Sequence, residues 1–170
     1  KEVKNLKILL TTLNSKFIHT NLAIRYIKES IKDLINVDLR EYTINNQLDY
    51  ILKDIYLKDY DAVFFSTYIW NVYDIVKICE NLKKVKPNLI IGLGGPEVSY
   101  AANKFLEQNS AFDLIMQGEG EEVFSELIRF VLGDKYFAGE ENTNSTNHID
   151  MTKLQKLQGI AVRDFSEKLA

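Results

Sequence analysis

Apolar runs and segments of helical spacing alternate five times along this chain, and this alternation restricts the possible folds more than any other feature. The runs predict strands at residues 6–12, 37–43, 61–67, 88–94 and 112–116. Between and after them, apolar residues recurring every three or four positions predict helices at residues 21–35, 48–55, 72–82, 99–108 and 121–132. Repeated strand–helix units form a parallel sheet covered by helices on both faces, because their crossovers are right-handed.

The predicted architecture is therefore a doubly wound α/β fold. We expect a five-stranded parallel sheet with the flavodoxin-like (Rossmann-like) strand order 2-1-3-4-5. The second strand, at residues 37–43, alternates apolar and charged side chains, as is typical of a sheet edge. We expect one domain at residues 1–132 and a flexible linker at the polar, aperiodic residues 133–158. One more strand is predicted within residues 159–170, either joining the sheet edge or leading toward another domain.

Composition excludes several classes of protein. The net charge of −3 argues against a nucleic-acid surface. No apolar run approaches the roughly 20 residues that cross a bilayer, and no signal peptide opens the chain, so we expect a cytoplasmic protein without a membrane partner. The single cysteine, Cys79, excludes an internal disulfide, and its apolar helical stripe predicts a buried thiol. The chain begins with Lys1 rather than methionine, and we expect it to be a piece of a longer protein.

In a doubly wound sheet, ligands bind at the carboxyl ends of the strands, near the point where strand order reverses. Here that rule selects the loops at residues 13–20, 66–71, 94–99 and 117–121, which are rich in small residues: Ser66, Thr67, Gly94, Gly95, Gly118 and Gly120. Small residues let a bulky ligand approach the backbone, and this crowding predicts that Gly95→Leu weakens binding far more than stability. The alternative is that the glycines serve tight turns and the nearby glutamates complement a helix dipole.

Other kinds of site find less support. No glycine-rich dinucleotide or phosphate loop follows the first strand, and threonine and serine stand where a receiver domain needs acidic residues. A metal site from Glu97 and Glu119 would lack histidine or cysteine partners. The run from Tyr68 to Trp70 either caps a flat ligand or a partner domain, or folds beneath a neighbouring helix.

Three segments in combination resemble a known family. They are FFSTYIWN at residues 64–71, LIIGLGGPEVS at 89–99 and DLIMQGEGEEVFSELI at 113–128. Together they resemble the N-terminal cobalamin-binding domain of radical SAM enzymes, which include methyltransferases and the anaerobic magnesium-protoporphyrin monomethyl ester cyclases. The resemblance covers about residues 6–132. It implies a corrin ring across the carboxyl ends of the strands, with the nucleotide tail beside the sheet.

The resemblance also implies which residues meet the cofactor. They are Asn14, Ser15, Lys16, Phe17 and His19 below the cobalt, Ser66 and Thr67 at the tail, Gly94, Gly95, Pro96 and Glu97 after the fourth strand, and Gly118, Glu119 and Gly120 after the fifth, with Tyr68 as a further cofactor contact. The better-known cobalamin motif, D-x-H-x-x-G, supplies a cobalt-ligating histidine. His19 matches that histidine, but Phe17 replaces the aspartate that would orient it and Leu22 replaces the glycine. We therefore expect cobalt without a histidine from this chain, with ligation by His19 as the alternative.

The catalytic half of such enzymes is not in this sequence, because one cysteine cannot supply the C-x-x-x-C-x-x-C motif of an iron–sulfur cluster. The resemblance implies that the chain binds cobalamin without itself catalysing a reaction. Its partner would be the parent protein's own radical SAM domain, which would use an iron–sulfur cluster and S-adenosylmethionine. The parent would act on a small molecule by radical methyl transfer or porphyrin ring cyclisation. Two other functions stay open: a binding module for flavin or a nucleotide, and a docking or regulatory domain that binds no ligand at the carboxyl ends of its strands.

Overall fold

The computed structural model describes residues 6–16, 20–133 and 151–163. The strands are β1 (Ile8–Asn14), β2 (Asp38–Thr43), β3 (Ala62–Ser66), β4 (Ile90–Gly94), β5 (Leu114–Met116) and β6 (Ile160–Val162). The helices are α1 (Leu22–Ser30), α2 (Leu48–Leu57), α3 (Val72–Val85), α4 (Pro96–Ser99), α5 (Ala102–Gln108), α6 (Gly120–Val131) and α7 (Met151–Leu154).

One sheet organises the domain, with the strand order β2-β1-β3-β4-β5-β6. The first five strands are parallel, which confirms the predicted doubly wound order. The sixth strand pairs antiparallel with β5, Ile115 lying opposite Ala161. Of the two alternatives for this last strand, the structure therefore supports addition to the sheet edge.

Helices cover both faces of the sheet, as predicted, and two hydrophobic layers lie between sheet and helices. All seven residues of β1 are buried, and they alternate between the layers. Ile8 and Leu10 join the layer beneath α1, α6 and α7. Leu9 and Leu13 join the layer beneath α2, α3 and α5. Burying each such side chain contributes about 1.5–3 kcal/mol, so β1 anchors both layers.

Several boundaries differ from the prediction. The helix expected at residues 99–108 begins at Ala102 as α5, and a separate short helix, α4, precedes it, beginning directly after Gly95 with Pro96 in its first turn. Most of the linker predicted at residues 133–158 lies outside the described residues. Its last part is not extended linker, because it contains α7 and buries Leu154 and Leu157 against the α1/α6 layer.

Buried groups elsewhere agree with a structural role. Cys79 is fully buried, as predicted, and burial raises the pKa of its thiol well above the ordinary value. Within the described parts of the chain, no helix is long and apolar enough to cross a bilayer. Among the same residues, no group of three or more histidine, cysteine, aspartate or glutamate side chains is placed to hold a metal ion.

Candidate functional site at the carboxyl edge of the sheet

Register places the predicted site residues at one edge of the sheet. Thr12 of β1 lies opposite Ser66, the last residue of β3, and Ser66 lies opposite Gly94, the last residue of β4. Asn14, at the end of β1, lies opposite Thr43 at the end of β2. The loops and helix starts that follow the strands carry the other predicted residues: Ser15, Lys16, Thr67, Tyr68, Gly95, Pro96, Glu97, Gly118, Glu119 and Gly120. Phe17 and His19 lie outside the described residues, so ligation by His19 stays a hypothesis.

Gly95 is small because the neighbouring loop lies against it. Its backbone has φ +109°, and a Cβ there would lie 2.3 Å from the carbonyl oxygen of Thr67. Thr67 holds this approach from the other side, since its backbone N and its Oγ1 both donate to the carbonyl of Gly94, at 2.7 and 2.5 Å. The protein's own backbone therefore requires glycine at this position. The hydroxyl of Thr67 is likewise engaged within the protein, and this residue is fully buried.

The other glycines of the edge have different reasons to be small. Gly120 begins α6, and a Cβ there would lie 3.0 Å from the Ile27 side chain, so it lets α1 and α6 pack closely. Gly118 has φ +92° with nothing within 4 Å of a Cβ, which indicates a turn beside open space. At Gly94 a Cβ would lie 3.3 Å from the end of the Met116 side chain and 4.0 Å from the Met116 carbonyl oxygen, which is a tight contact. Of these glycines, Gly118 is therefore the one that leaves open room at this edge.

Small and polar side chains of adjacent strands share one sheet face at this edge. By the alternation of each strand, Thr12, Ser66 and Gly94 point toward the α1/α6 side. The hydroxyl of Thr12 donates to the carbonyl of Ser66 at 3.0 Å. Asn71, fully buried, donates to the carbonyls of Leu13 and Ser66, at 3.0 and 3.3 Å. These bonds fix the ends of β1 and β3 relative to each other.

The glutamates of this edge are exposed. Glu97 and Glu119 both face solvent. Acidic residues also occupy the first turn of α6, where they complement the helix dipole. The geometry therefore agrees with the dipole explanation for these acids.

An aromatic pair stands at the same edge. Tyr68 and Trp70 stack with ring centroids 4.6 Å apart and planes at 4°. Trp70 is 46% exposed and the intervening Ile69 is 78% exposed. The alternative in which this run folds beneath a helix is therefore wrong, because two of its three apolar side chains face solvent. Flat apolar surface next to the small residues is available for a ligand or another domain.

Sequence reasoning missed a polar cluster around Glu41 of β2. One carboxylate oxygen, Oε2, accepts from the Asn14 side chain at 2.6 Å and from the backbone N–H of Asn21 at 2.8 Å. The other, Oε1, accepts from Arg25 at 2.6 and 3.1 Å. Burial alone would raise the pKa of Glu41, but the hydrogen bonds from Asn21, Asn14 and Arg25 outweigh it and lower the pKa.

Asn21 extends this cluster toward the aromatic pair. Its Oδ1 accepts from the backbone N–H of Ile24 at 3.2 Å and caps α1. Its Nδ2 donates to the hydroxyl of Tyr68 at 3.3 Å and to that of Ser66 at 3.5 Å. The asparagine just before an apolar helical segment was a visible capping signal, but its partners on β2 and β3 are far away in sequence.

A doubly wound sheet with small residues, open glycine turns and an exposed aromatic pair at its carboxyl edge defines an α/β ligand-binding domain. Comparison with known proteins identifies the family of ligand-binding domains. Residues 8–128 match the family model described as the B12 binding domain. The chain belongs to that family.

Two curated relatives that the chain matches are named as methyltransferases. The chain is 34% identical over 74 residues to the cobalamin-dependent radical SAM methyltransferase TokK of Streptomyces tokunonensis, an overlap of 44% of this chain and 11% of that protein. It is 31% identical over 78 residues to the 2-(S-pantetheinyl)-carbapenam-3-carboxylate methyltransferase of Streptantibioticus cattleyicolor, covering 46% and 12%.

A solved structure supports the fold over nearly the whole chain. The cobalamin-dependent S-adenosylmethionine radical enzyme OxsB, solved with aqua-cobalamin and S-adenosylmethionine bound, aligns with a TM-score of 0.70 at 18% identity. The alignment covers 96% of this chain and 21% of that chain. The chain thus spans about a fifth of this structural relative and about a ninth of the curated relatives.

Proposed function

We propose that this domain binds cobalamin at the carboxyl edge of its sheet and presents it to a radical SAM catalytic domain of the same parent protein. The observation that carries the proposal is the match to the B12 binding domain over residues 8–128, which includes every strand of the parallel sheet. The edge itself fits a large ligand. Ser66 and Gly94 carry little side chain on one sheet face, and Gly118 turns beside open space.

Each part of the edge has a proposed task. Ser66 and Gly94 form a shallow floor for the nucleotide tail. Gly118 and Glu119 border the corrin, and the stacked face of Tyr68 and Trp70 limits its position from the side. Asn14, Ser15 and Lys16 would face the cobalt in this arrangement, with ligation by His19 as the alternative. When bound, cobalamin supplies the reactivity of its cobalt, while this chain's residues bind the ring, orient it and leave its other face open.

Among reactions of the parent, we propose radical methyl transfer rather than ring cyclisation. Both curated relatives above 30% identity are named as methyltransferases. The parent would then use an iron–sulfur cluster and S-adenosylmethionine, held by its catalytic domain, on a small-molecule substrate. These groups belong to the proposed parent and not to the described residues.

Binding can be tested with the chain's single tryptophan, because Trp70 lies at the proposed site. We would titrate hydroxocobalamin into the purified chain anaerobically and follow tryptophan emission, with free N-acetyltryptophanamide as the control for light absorption by the corrin. Absorbance after desalting then measures retention. We expect saturable quenching and about one corrin retained per chain.

A matched pair of variants locates the site. Ser66→Leu fills the proposed floor for the tail, whereas Ser110→Leu makes the same change at an exposed position near the opposite end of β5. We expect Ser66→Leu to weaken cobalamin binding at least about tenfold while Ser110→Leu binds normally. Thermal shift with flavins and nucleotides tests the other cofactors. Stabilisation by one of those, or by no ligand at all, would overturn the proposal.

A further inference from the structure

We propose that Glu41 is a positioning residue that holds together Asn14 and Asn21, the two ends of the loop between β1 and α1. Its carboxylate binds both ends of that loop through a single oxygen. Asn14, the last residue of β1, donates its side-chain N–H to Oε2 at 2.6 Å, and Asn21, the cap of α1, donates its backbone N–H at 2.8 Å. Glu41 thus joins the two ends of the loop without belonging to it.

The second carboxylate oxygen holds the first in place. Oε1 accepts two N–H groups of Arg25, which projects from the first turn of α1. Because the guanidinium is planar, it restrains the orientation of the carboxylate. The side chain of Glu41 is 14% exposed while that of Arg25 is 52% exposed, so the carboxylate is shielded and the arginine covers it.

The cluster also connects this loop to the far side of the proposed site. Asn21 donates to the hydroxyls of Ser66 and Tyr68, at 3.5 and 3.3 Å. Tyr68 stacks on Trp70. A change at Glu41 therefore reaches the end of β3 and the aromatic pair through Asn21, although Glu41 itself is not among the predicted ligand contacts.

This inference deepens the proposed function and rests on it for its ligand. Asn14, which Glu41 holds, is among the residues proposed to lie below the cobalt. A contact residue whose position is fixed before the ligand arrives loses less conformational entropy on binding, which increases affinity. Glu41 fixes Asn14 by a charge-assisted hydrogen bond, which is stronger than a neutral one.

Glu41→Gln tests the inference, with Asp54→Asn as the matched control. The substituted amide can offer Asn14 and Asn21 only a neutral acceptor, and its nitrogen cannot accept from Arg25. Asp54 is comparably shielded, 19% exposed, and its partners are Arg40 and Tyr42 of the same strand β2, at 2.6 and 2.8 Å. Its loss removes a similar ion pair without touching the loop.

Two readouts are needed. Hydrogen–deuterium exchange of ligand-free protein should show about tenfold faster exchange of the Asn21 amide in Glu41→Gln, and no such change in Asp54→Asn. The Asn21 amide reports directly, because it donates to Glu41. The dissociation constant for hydroxocobalamin should rise about tenfold in Glu41→Gln alone.

Each outcome decides the matter. Equal exchange and equal affinity in the two variants would overturn the positioning role, and so would faster exchange with unchanged affinity. If the unsubstituted chain retains no corrin, the proposed function fails. The hydrogen–deuterium exchange measurement alone then decides whether Glu41 holds the two ends of the loop together. If Glu41→Gln does not fold, Glu41→Asp replaces it. That variant keeps the charge beside Arg25 but withdraws the carboxylate from Asn14 and Asn21, so unchanged exchange there would overturn the inference.

Discussion

One shielded carboxylate lies at the amino ends of the parallel strands, here called the amino edge, and another lies at their carboxyl ends, the carboxyl edge. The two carboxylates have different roles. At the amino edge, Asp113 accepts from Lys83 of α3 at 2.7 and 3.0 Å and from the backbone N–H of Ile91 at 2.7 Å. At the carboxyl edge, Glu41 joins the two ends of one loop. The first clamp ties strands and helices together, and the second shapes a surface.

The surroundings of the two carboxylates extend the comparison. At the amino edge, Arg163 donates to the carbonyls of Phe112, Leu106 and Asn109, so it ties the chain after β6 to the α5–β5 connection. At the carboxyl edge, Trp70 and Gly118 stay exposed beside the polar cluster. At the amino edge, the donors and acceptors are directed into the fold, which indicates a role in stability. At the carboxyl edge, open turns and an aromatic surface border the polar network, which indicates a role in binding.

The largest expected effect on stability is at the amino edge. Asp113→Ala leaves the Ile91 N–H without its acceptor and the largely buried Lys83 ammonium without its counter-ion, with the carbonyl of Leu89 still accepting from it, and we expect a loss of about 3–5 kcal/mol in the free energy of unfolding. Urea unfolding measures it. Asp59→Asn breaks a pair whose carboxylate is 87% exposed and should leave stability nearly unchanged. Equal losses of stability in the two variants would contradict the different roles assigned to the shielded Asp113 pair and the exposed Asp59 pair.

At the carboxyl edge, substitutions of Gly95 and of Gly118 are expected to differ in their effect on stability. The crowding argument expected Gly95→Leu to reduce binding far more than stability, but the 2.3 Å approach to the Thr67 carbonyl predicts loss of stability first. We expect Gly95→Ala to lower the free energy of unfolding by at least about 2 kcal/mol. Gly118→Ala, strained only by its φ, should lower it by about 1 kcal/mol. Comparable losses would mean that the Thr67 contact relaxes at little cost.

Stability measured at acidic pH tests the Glu41 cluster, because the pKa of Glu41 is lowered. A carboxylate whose pKa is lower in the folded state stabilises the fold above the ordinary glutamate pKa of about 4.3, and this contribution is lost as the pH falls through the folded-state pKa. Arg25 is the charged group that pairs with it. We therefore expect Glu41→Gln to be less stable than the unsubstituted chain at pH 6, with the gap narrowing below about pH 4. A gap independent of pH would contradict this.

What the sequence could predict follows from short-range pattern. Alternating apolar and helical segments predict the order of the parallel strands and the polar edge position of β2, and the structure confirms both. The rule that ligands bind at the carboxyl edge then locates the residues of the candidate site. The Glu41 cluster escapes this reasoning, because its bonds join residues 16 to 27 positions apart and charged residues on an edge strand suggest solvent.

Gly95 shows a second limit. A glycine pair after a strand is equally typical of a turn, a ligand approach and a contact with neighbouring backbone. Only the three-dimensional position of Thr67 selects the third. Residues 151–158 show a third limit, because Leu154 and Leu157 are isolated in a polar segment and their burial depends on the α1/α6 layer.

The smallest expected effect on stability is at the aromatic pair, where the effect on binding should be clear. Trp70→Ala removes a half-exposed side chain, so we expect the free energy of unfolding to change by less than about 0.5 kcal/mol. Tyr56→Ala is the matched control, since Tyr56 is 47% exposed near the end of α2, at the amino edge. Corrin retained after desalting should fall in the first variant and stay constant in the second. Equal retention would assign the exposed face of Trp70 to another domain rather than to the cofactor, because an exposed aromatic surface that adds nothing to ligand binding still needs a partner to cover it.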